Sequence, residues 1–251
     1  MTRTALITGA GRNIGRHLAR RFAGAGYQVV VCARTPASVE AVAKEIENEG
    51  GVALGVPADV SDPDSVAALV MAATDRFGGV DVLVNNAVAR VQRSIEDMTV
   101  DEWKLVLGVV LDGAFHCAKA VVPGMKRRGF GRILNMTGTA GMKGSANRLG
   151  VVTSKSGLEG FTRGLAREVA PAGITVNAIS PGRIDTERGE WTSQGDVSAL
   201  LGHYERSQKD VPVGRKGTLD EVAALALFLA GDDAAFITGQ TVAVNGGIYM
   251  R

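Results

Sequence analysis

Cysteine is scarce in this chain, with Cys32 and Cys117 the only two among 251 residues. They stand far apart, so neither a disulfide framework nor a cysteine metal site is expected. Three histidines and no His-Glu-x-x-His or Cys/His cluster argue against a catalytic zinc. Charge of one sign is also missing. The 28 basic and 26 acidic residues leave a net charge of +2 with no long run of either, so neither a nucleic acid nor a membrane surface is an expected partner. No apolar stretch approaches the ~20 residues of a membrane helix. Met1-Thr2-Arg3 leads straight into a strand-like run, without a secretory segment. A soluble cytoplasmic protein is the expectation. Glycine, by contrast, is plentiful: 33 residues, about 13% where ~7% is usual. The 45% hydrophobic and 22% charged content is that of an ordinary globular domain.

Strand-like runs alternate with helix-period segments from end to end. The strands are expected at Thr4–Thr8, Gln28–Ala33, Gly51–Val56, Val80–Asn85, Arg132–Met136, Thr175–Ile179 and Thr241–Val244. Several are unbroken Val/Ile/Leu runs, as strands covered on both faces are. Helices are expected at His17–Gly24, from Pro36 to about Glu49, Pro63–Phe77, Val100–Arg127, Val151–Ala170 and Leu219–Ala230. Thr35-Pro36 and Asp62-Pro63 each read as an N-cap followed by a first-turn proline. Seven strands and six helices in alternation predict an α/β fold: a single-domain, Rossmann-type, doubly wound parallel sheet with helices on both faces. The domain is expected to run over 1–251. The irregular stretch at about 183–213 reads as a substrate lid.

The first strand ends in Thr8-Gly9-Ala10-Gly11-Arg12-Asn13-Ile14-Gly15, followed by a helix. A glycine-rich turn there lets the backbone approach a pyrophosphate at the helix N-terminus. This turn resembles the TGxxxGxG of the short-chain dehydrogenase/reductase family, with Asn13 in place of the middle glycine. Asn tolerates left-handed backbone, so the exchange is mild. The resemblance covers the whole chain. Asp59-Val60 resembles the family's adenine-contacting pair. Asn85-Asn86-Ala87 resembles its NNAG, with Val88 for the glycine. Asn177–Gly182, with Ile184 and Thr186, resembles its nicotinamide-side segment, and Val244–Gly247 its closing strand. The cofactor-binding residues this implies are Gly9, Arg12, Asn13, Ile14, Gly15, Arg34, Asp59, Val60, Asn86, Lys155, Pro181, Gly182, Ile184 and Thr186.

Charge predicts which nicotinamide cofactor is used. In this fold an acidic residue after strand two binds the ribose 2′-hydroxyl, whereas a nearby Arg accommodates a 2′-phosphate. Here the strand ends Cys32-Ala33-Arg34, and Arg12 lies in the glycine turn. Two guanidiniums and no carboxylate favour NADP(H).

At the reaction end the pattern breaks. The family's mechanism uses Tyr-x-x-x-Lys at the start of a helix, a Ser on the preceding strand end and an Asn on the helix before. The resemblance implies that the Lys is Lys155, but position 151 is Val. The Ser position is Gly138, flanked by Thr137 and Thr139, and the Asn position is Val110. Valine has no proton to give. Thr139, Tyr204 and His203 are the remaining candidates for the proton donor. The reading that follows is an NADP(H)-dependent oxidoreductase for a carbonyl, conjugated enone or imine-like small molecule, working by an altered proton-donor mechanism. The alternatives are a non-catalytic NADP(H)-binding subunit and a non-redox enzyme, such as an isomerase or lyase, on the same scaffold.

Arg90, Arg148 and Arg183 are expected at the pocket mouth. Trp191, Leu200, Leu201 and Tyr204 form a candidate apolar lid face. Gly157, Gly160 and Gly164 form a smooth helical stripe. It packs either on the protein's own sheet or, as the resemblance implies, against another subunit of a homodimer or homotetramer.

Overall fold

A computed structural model describes residues 2–186 and 210–250. Seven parallel strands form one sheet in the order β3-β2-β1-β4-β5-β6-β7. They are β1 (Thr4–Thr8), β2 (Gln28–Ala33), β3 (Val52–Pro57), β4 (Val82–Asn85), β5 (Gly131–Met136), β6 (Ile174–Pro181) and β7 (Thr241–Val244). The helices are α1 (Asn13–Gly24), α2 (Pro36–Asn48), α3 (Pro63–Phe77), α4 (Val100–Leu107), α5 (Gly113–Arg128), α6 (Thr139–Lys143), α7 (Leu149–Val169) and α8 (Leu219–Ala230). Every strand of β1, β4 and β5 is buried along its whole length. One apolar layer packs α1, α2 and α8 against the sheet through Leu18, Phe22, Val39 and Leu229. The opposite layer packs α3, α5 and α7 through Leu69, Val121, Met125 and Ala166. The order reverses between β1 and β4, so the loops after the strands meet at one carboxyl edge around that switch point.

Three sequence expectations need correction. Thr35 does stand at the N-cap of α2, but its side chain makes no capping bond. Instead Ser38 Oγ donates to the Thr35 carbonyl oxygen at 2.7 Å. Asp62 behaves as expected, accepting from Asp64 N at 3.0 Å. The segment expected as one regular helix over Val100–Arg127 contains a π-helical turn at Gly108–Asp112 between α4 and α5. The expectation that nothing approaches membrane-helix length also fails, because Val100–Arg128 is long and apolar enough by length and composition alone. Its apolarity has a local cause: Cys117, Ala118, Val121 and Met125 of this helix are buried in the second core layer.

Candidate functional site

The glycine turn after β1 is shaped by backbone demands. Gly9 has φ +62°, and a Cβ there would stand 2.8 Å from Ala87 Cα. A Cβ on Gly15 would meet the Gly9 carbonyl and Asn86 Nδ2. Asn13 adopts φ 48°, as expected of an Asn standing for a glycine. Thr8 and Asn86 hold the turn to the end of β4. Asn86 Nδ2 donates to the carbonyls of Thr8 and Gly9 at 3.0 and 3.2 Å. Thr8 Oγ1 accepts from the backbone N–H of Asn86 and Ala87 at 3.0 and 3.1 Å. Sequence reasoning named Asn86 but missed Thr8, although it directly precedes the glycines.

α1 begins without a side-chain cap and without an acidic residue in its first turn. Its first N–H groups and the positive end of the helix dipole therefore suit a phosphate. The cradle without room for Cβ atoms and the uncapped helix start together fit a dinucleotide's pyrophosphate.

Arg34 follows β2, and its charge acts on two groups. Burial and repulsion from Arg34 lower the pKa of Arg12. Burial tends to raise the Asp59 carboxyl, but hydrogen bonds from Ser61 and the charge of Arg34 hold it below the usual range. Ser61 N and Oγ donate to Asp59 Oδ1 at 2.9 and 2.6 Å. Val60 is buried and lies against Gly113, where a Cβ would come within 2.8 Å of Val60 Cγ2. Gly11 is equally confined, since a Cβ there would stand 2.6 Å from Ser38 Oγ and 3.3 Å from Ala33 Cβ. Arg12, Arg34 and Ser38 thus gather around the end of β2.

The nicotinamide-side residues follow β6. Pro181 ends the strand, and Ile184 is buried in a bridge to Gly217. Gly182 passes so near the chain that a Cβ would stand 2.6 Å from Asn245 Cα. Thr186 is the last described residue before 187–209. Trp191, Leu200, Leu201, His203 and Tyr204 lie outside the described residues.

Lys155 is buried on the sheet-facing side of α7. Its Nζ donates to the carbonyl of Met136 at the end of β5. Burial, reinforced by the charge of Arg90, lowers its pKa to about 7. The helix face that carries it is anchored from below. Asn85 Nδ2 donates to Asn135 Oδ1 at 2.9 Å, Asn135 Nδ2 to Thr162 Oγ1 at 2.9 Å, and Thr162 Oγ1 to the Leu158 carbonyl at 2.8 Å. This buried chain links β4, β5 and α7, and polar Asn85 and Asn135 inside apolar strands were its sequence signal.

An apolar cluster includes two residues of the lysine helix, Val151 and Leu158. Val151 and Val110 are both buried, in one cluster with Val91, Val106 and Leu158. Val88 does not join them and is exposed. Gly138 has φ 153° and ψ 159°, a region reached essentially only by glycine. The backbone has therefore departed from one that would carry a serine side chain comfortably. Of the two flanking hydroxyls, Thr137 Oγ1 is committed to the Ile179 carbonyl at 3.1 Å. Thr139 begins α6, and its hydroxyl has no hydrogen bond among the described residues.

Beside this region, the loops before α4 and α7 enclose a cavity of about 430 Å³ lined by Arg93, Glu96, Asn147 and Val152 among others. Asn147, with φ 59°, accepts Arg93 N at 2.9 Å through its carbonyl and joins the two loops. Further along α7, Gly157 lies against Leu111, and a Cβ there would stand 3.2 Å from Leu111 Cδ2. Among the described residues Gly160 and Gly164 face open space, so they do not pack on the chain's own sheet.

Comparison with known proteins agrees with this geometry. Residues 9–249 match a family model described as Enoyl-(Acyl carrier protein) reductase. The chain is 38% identical over 251 residues to the 3-oxoacyl-[acyl-carrier-protein] reductase FabG of Staphylococcus aureus, covering 100% of this chain and 99% of that protein. It is 38% identical to the D-beta-hydroxybutyrate dehydrogenase of Rhizobium meliloti, covering 98% of each. A crystal structure of a 3-oxoacyl-[acyl-carrier protein] reductase with bound NAD from Brucella melitensis matches with a TM-score of 0.88 at 36% identity, covering 99% of this chain and 92% of that one. With the parallel sheet, the glycine cradle and the lysine helix in register, the chain belongs to the short-chain dehydrogenase/reductase family and is an oxidoreductase of that type.

Proposed function

We propose that this protein is an NADP(H)-dependent oxidoreductase that acts on a carbonyl, conjugated enone or imine-like small molecule without a tyrosine proton donor. The observation that carries the cofactor choice is the Arg12–Arg34 pair at the end of β2, with Ser38 beside it and no carboxylate directly after the strand. A 2′-phosphate placed between two guanidiniums relieves the repulsion between them. Asp59 is engaged by Ser61 and by the Arg34 charge, which leaves it poorly suited to a ribose hydroxyl beside Arg34.

When bound, the cofactor supplies or accepts a hydride at its nicotinamide. The chain's own residues do the rest. Gly9, Asn13, Ile14 and Gly15 present backbone to the pyrophosphate. Asp59 and Val60 flank the adenine, and Asn86 holds the turn. Pro181, Gly182, Ile184 and Thr186 border the nicotinamide, and Lys155 holds its ribose. The relatives' names, 3-oxoacyl and beta-hydroxybutyrate, both place oxygen on the third carbon of an acyl chain. A 3-oxo compound, already activated by a second carbonyl, therefore heads the substrate panel. The setting is cytoplasmic, where the buried Cys32 and Cys117 stay reduced. The assembly is a homodimer or homotetramer in which Gly160 and Gly164 meet another subunit.

A second reading, a cofactor-binding subunit without turnover, is favoured by one observation: Val110 and Val151 close into a single apolar cluster. NADPH oxidation against a panel of 3-oxo thioesters, activated ketones, enones and imines decides between them. Turnover of any member supports the oxidoreductase. Binding of NADPH with no turnover of any member supports the second reading.

A further inference from the structure

We propose that Lys155 itself exchanges the proton with the substrate oxygen, the task that the family's tyrosine performs from position 151. The proposal rests on the oxidoreductase reading above and adds the identity of the acid. Lys155 lies at the carboxyl end of β5, where its Nζ reaches the Met136 carbonyl, two residues before Gly138. An ammonium has three N–H donors, and among the described residues only this one bond is made. Two donors remain for ligands, enough for a ribose oxygen and a substrate oxygen together.

Two neighbouring groups cannot compete, and the Thr139 hydroxyl, an aliphatic alcohol, is a far weaker acid than an ammonium. Val151, one turn earlier on the same face, has no exchangeable proton. The Thr137 hydroxyl is bound to the Ile179 carbonyl. Val91, Val106, Val110 and Val151 form an apolar wall beside the lysine helix. Desolvation and the Arg90 charge bring the amine to about 7. Both its protonation states are then populated at neutral pH, as a general acid–base group requires. The charged residues on the surrounding elements are Arg90 before α4, Asp112 in the π turn, Lys143 on α6, Glu159 one turn along α7 and Arg183 after β6. Of these, Arg90 is the one whose charge acts on the amine.

In the reducing direction the step balances as follows. The substrate carbon accepts the hydride and its two electrons from the reduced nicotinamide, forming a C–H bond. The carbonyl π bond breaks, and the oxygen takes a proton from the Lys155 ammonium. The lysine is left as a neutral amine and regains its proton from water. The reduced cofactor is the only reductant needed.

Two measurements test this. The first does not depend on turnover: acetylation of Lys155 by dilute acetic anhydride is followed against pH by peptide mass spectrometry. A midpoint near pH 7 is expected, and an ordinary lysine midpoint near 10 overturns the proposal. The second is the pH profile of 3-oxo substrate reduction in the wild type and in Lys155→Arg. The wild-type rate is expected to fall about tenfold per pH unit above a near-neutral midpoint. Arginine keeps a positive charge and hydrogen bonds for the ribose but stays protonated. Lys155→Arg is therefore expected to bind NADPH within about fivefold of wild type while kcat drops by about 10²–10⁴-fold. A variant that keeps half the wild-type kcat overturns the proposal and leaves the oxidoreductase reading intact. A wild type that oxidises NADPH with no member of the panel overturns both. Should Lys155→Arg not fold, the acetylation midpoint decides alone.

Discussion

The two ends of this site are built from different materials. At the nucleotide end the working parts are backbone: the φ of Gly9 and Asn13, the uncapped start of α1, and carbonyls tied down by Asn86 and Thr8. At the reaction end the resemblance expects working side chains, and Val151, Val110 and Gly138 stand at the positions it assigns to them. A backbone cradle is costly to lose, because it is also the junction of β1, β4 and α1. A side chain at the mouth of a pocket can be exchanged while the fold stands. Position 151 has been absorbed into an apolar cluster in just this way, with the helix and Lys155 still in place. On the proposed reading, binding and chemistry are separable in this scaffold.

The contrast is sharpest at Gly9. Gly9→Val adds a side chain 2.8 Å from Ala87 Cα at a backbone φ of +62°. It is expected to lower stability by roughly 2–4 kcal/mol and to weaken cofactor binding by at least about tenfold. Thermal melting and calorimetric titration are the measurements. A folded variant with wild-type affinity would mean that the turn is not a dinucleotide cradle.

At the reaction end the expected costs are smaller, and they limit repair. Gly138→Ser must hold a serine at φ 153°, ψ 159°, a strain of about 1–3 kcal/mol. For a domain of this size that is a fall of roughly 2–4 °C in Tm per kcal/mol. Val151→Tyr places a phenol inside a filled cluster, at about 1–3 kcal/mol. The double variant, Val151→Tyr with Gly138→Ser, should therefore remain slower than a complete family member, even if it exceeds the product of the two single changes. Full restoration of rapid ketone reduction by the double change would show that the backbone at Gly138 is more adaptable than its conformation indicates.

The smallest effect on the single chain is expected at Gly160. Among the described residues a Cβ there meets only the end of Arg163 at 4.0 Å, so Gly160→Leu is expected to leave the monomer fold intact. If helix α7 meets another subunit through this stripe, the same change shifts a dimer or tetramer toward monomer at micromolar concentration. Light scattering reads the outcome, and a wild type that is already monomeric contradicts the assembly.

The sequence carried much of the architecture. β1, β2, β7 and α8 lie residue for residue where hydrophobic runs placed them; β1 and β2 are covered on both faces, and such strands have no competing pattern. α1 begins at Asn13 rather than His17, since its first turn is also the glycine turn and reads as a loop. The π turn at Gly108–Asp112 was not legible. At and beside it lie close approaches distant in sequence, Leu111 to Gly157 and Gly113 to Val60, which local periodicity does not encode. At the site, Asn13 and the Arg12–Arg34 pair were readable because backbone geometry and charge follow from residue type. The commitment of Thr137 to β6 and the glycine-only backbone at Gly138 were not, since both depend on how β5 meets β6.

An intact nucleotide end, set for a 2′-phosphate, is expected to outlast the altered reaction end. Side-by-side calorimetric titration of the wild-type protein with NADPH and NADH tests it most directly. One charge-assisted contact to a phosphate contributes roughly 1.5–3 kcal/mol, so NADPH is expected to bind more than about tenfold tighter. Equal affinities, or tighter NADH, would contradict the reading of Arg12 and Arg34.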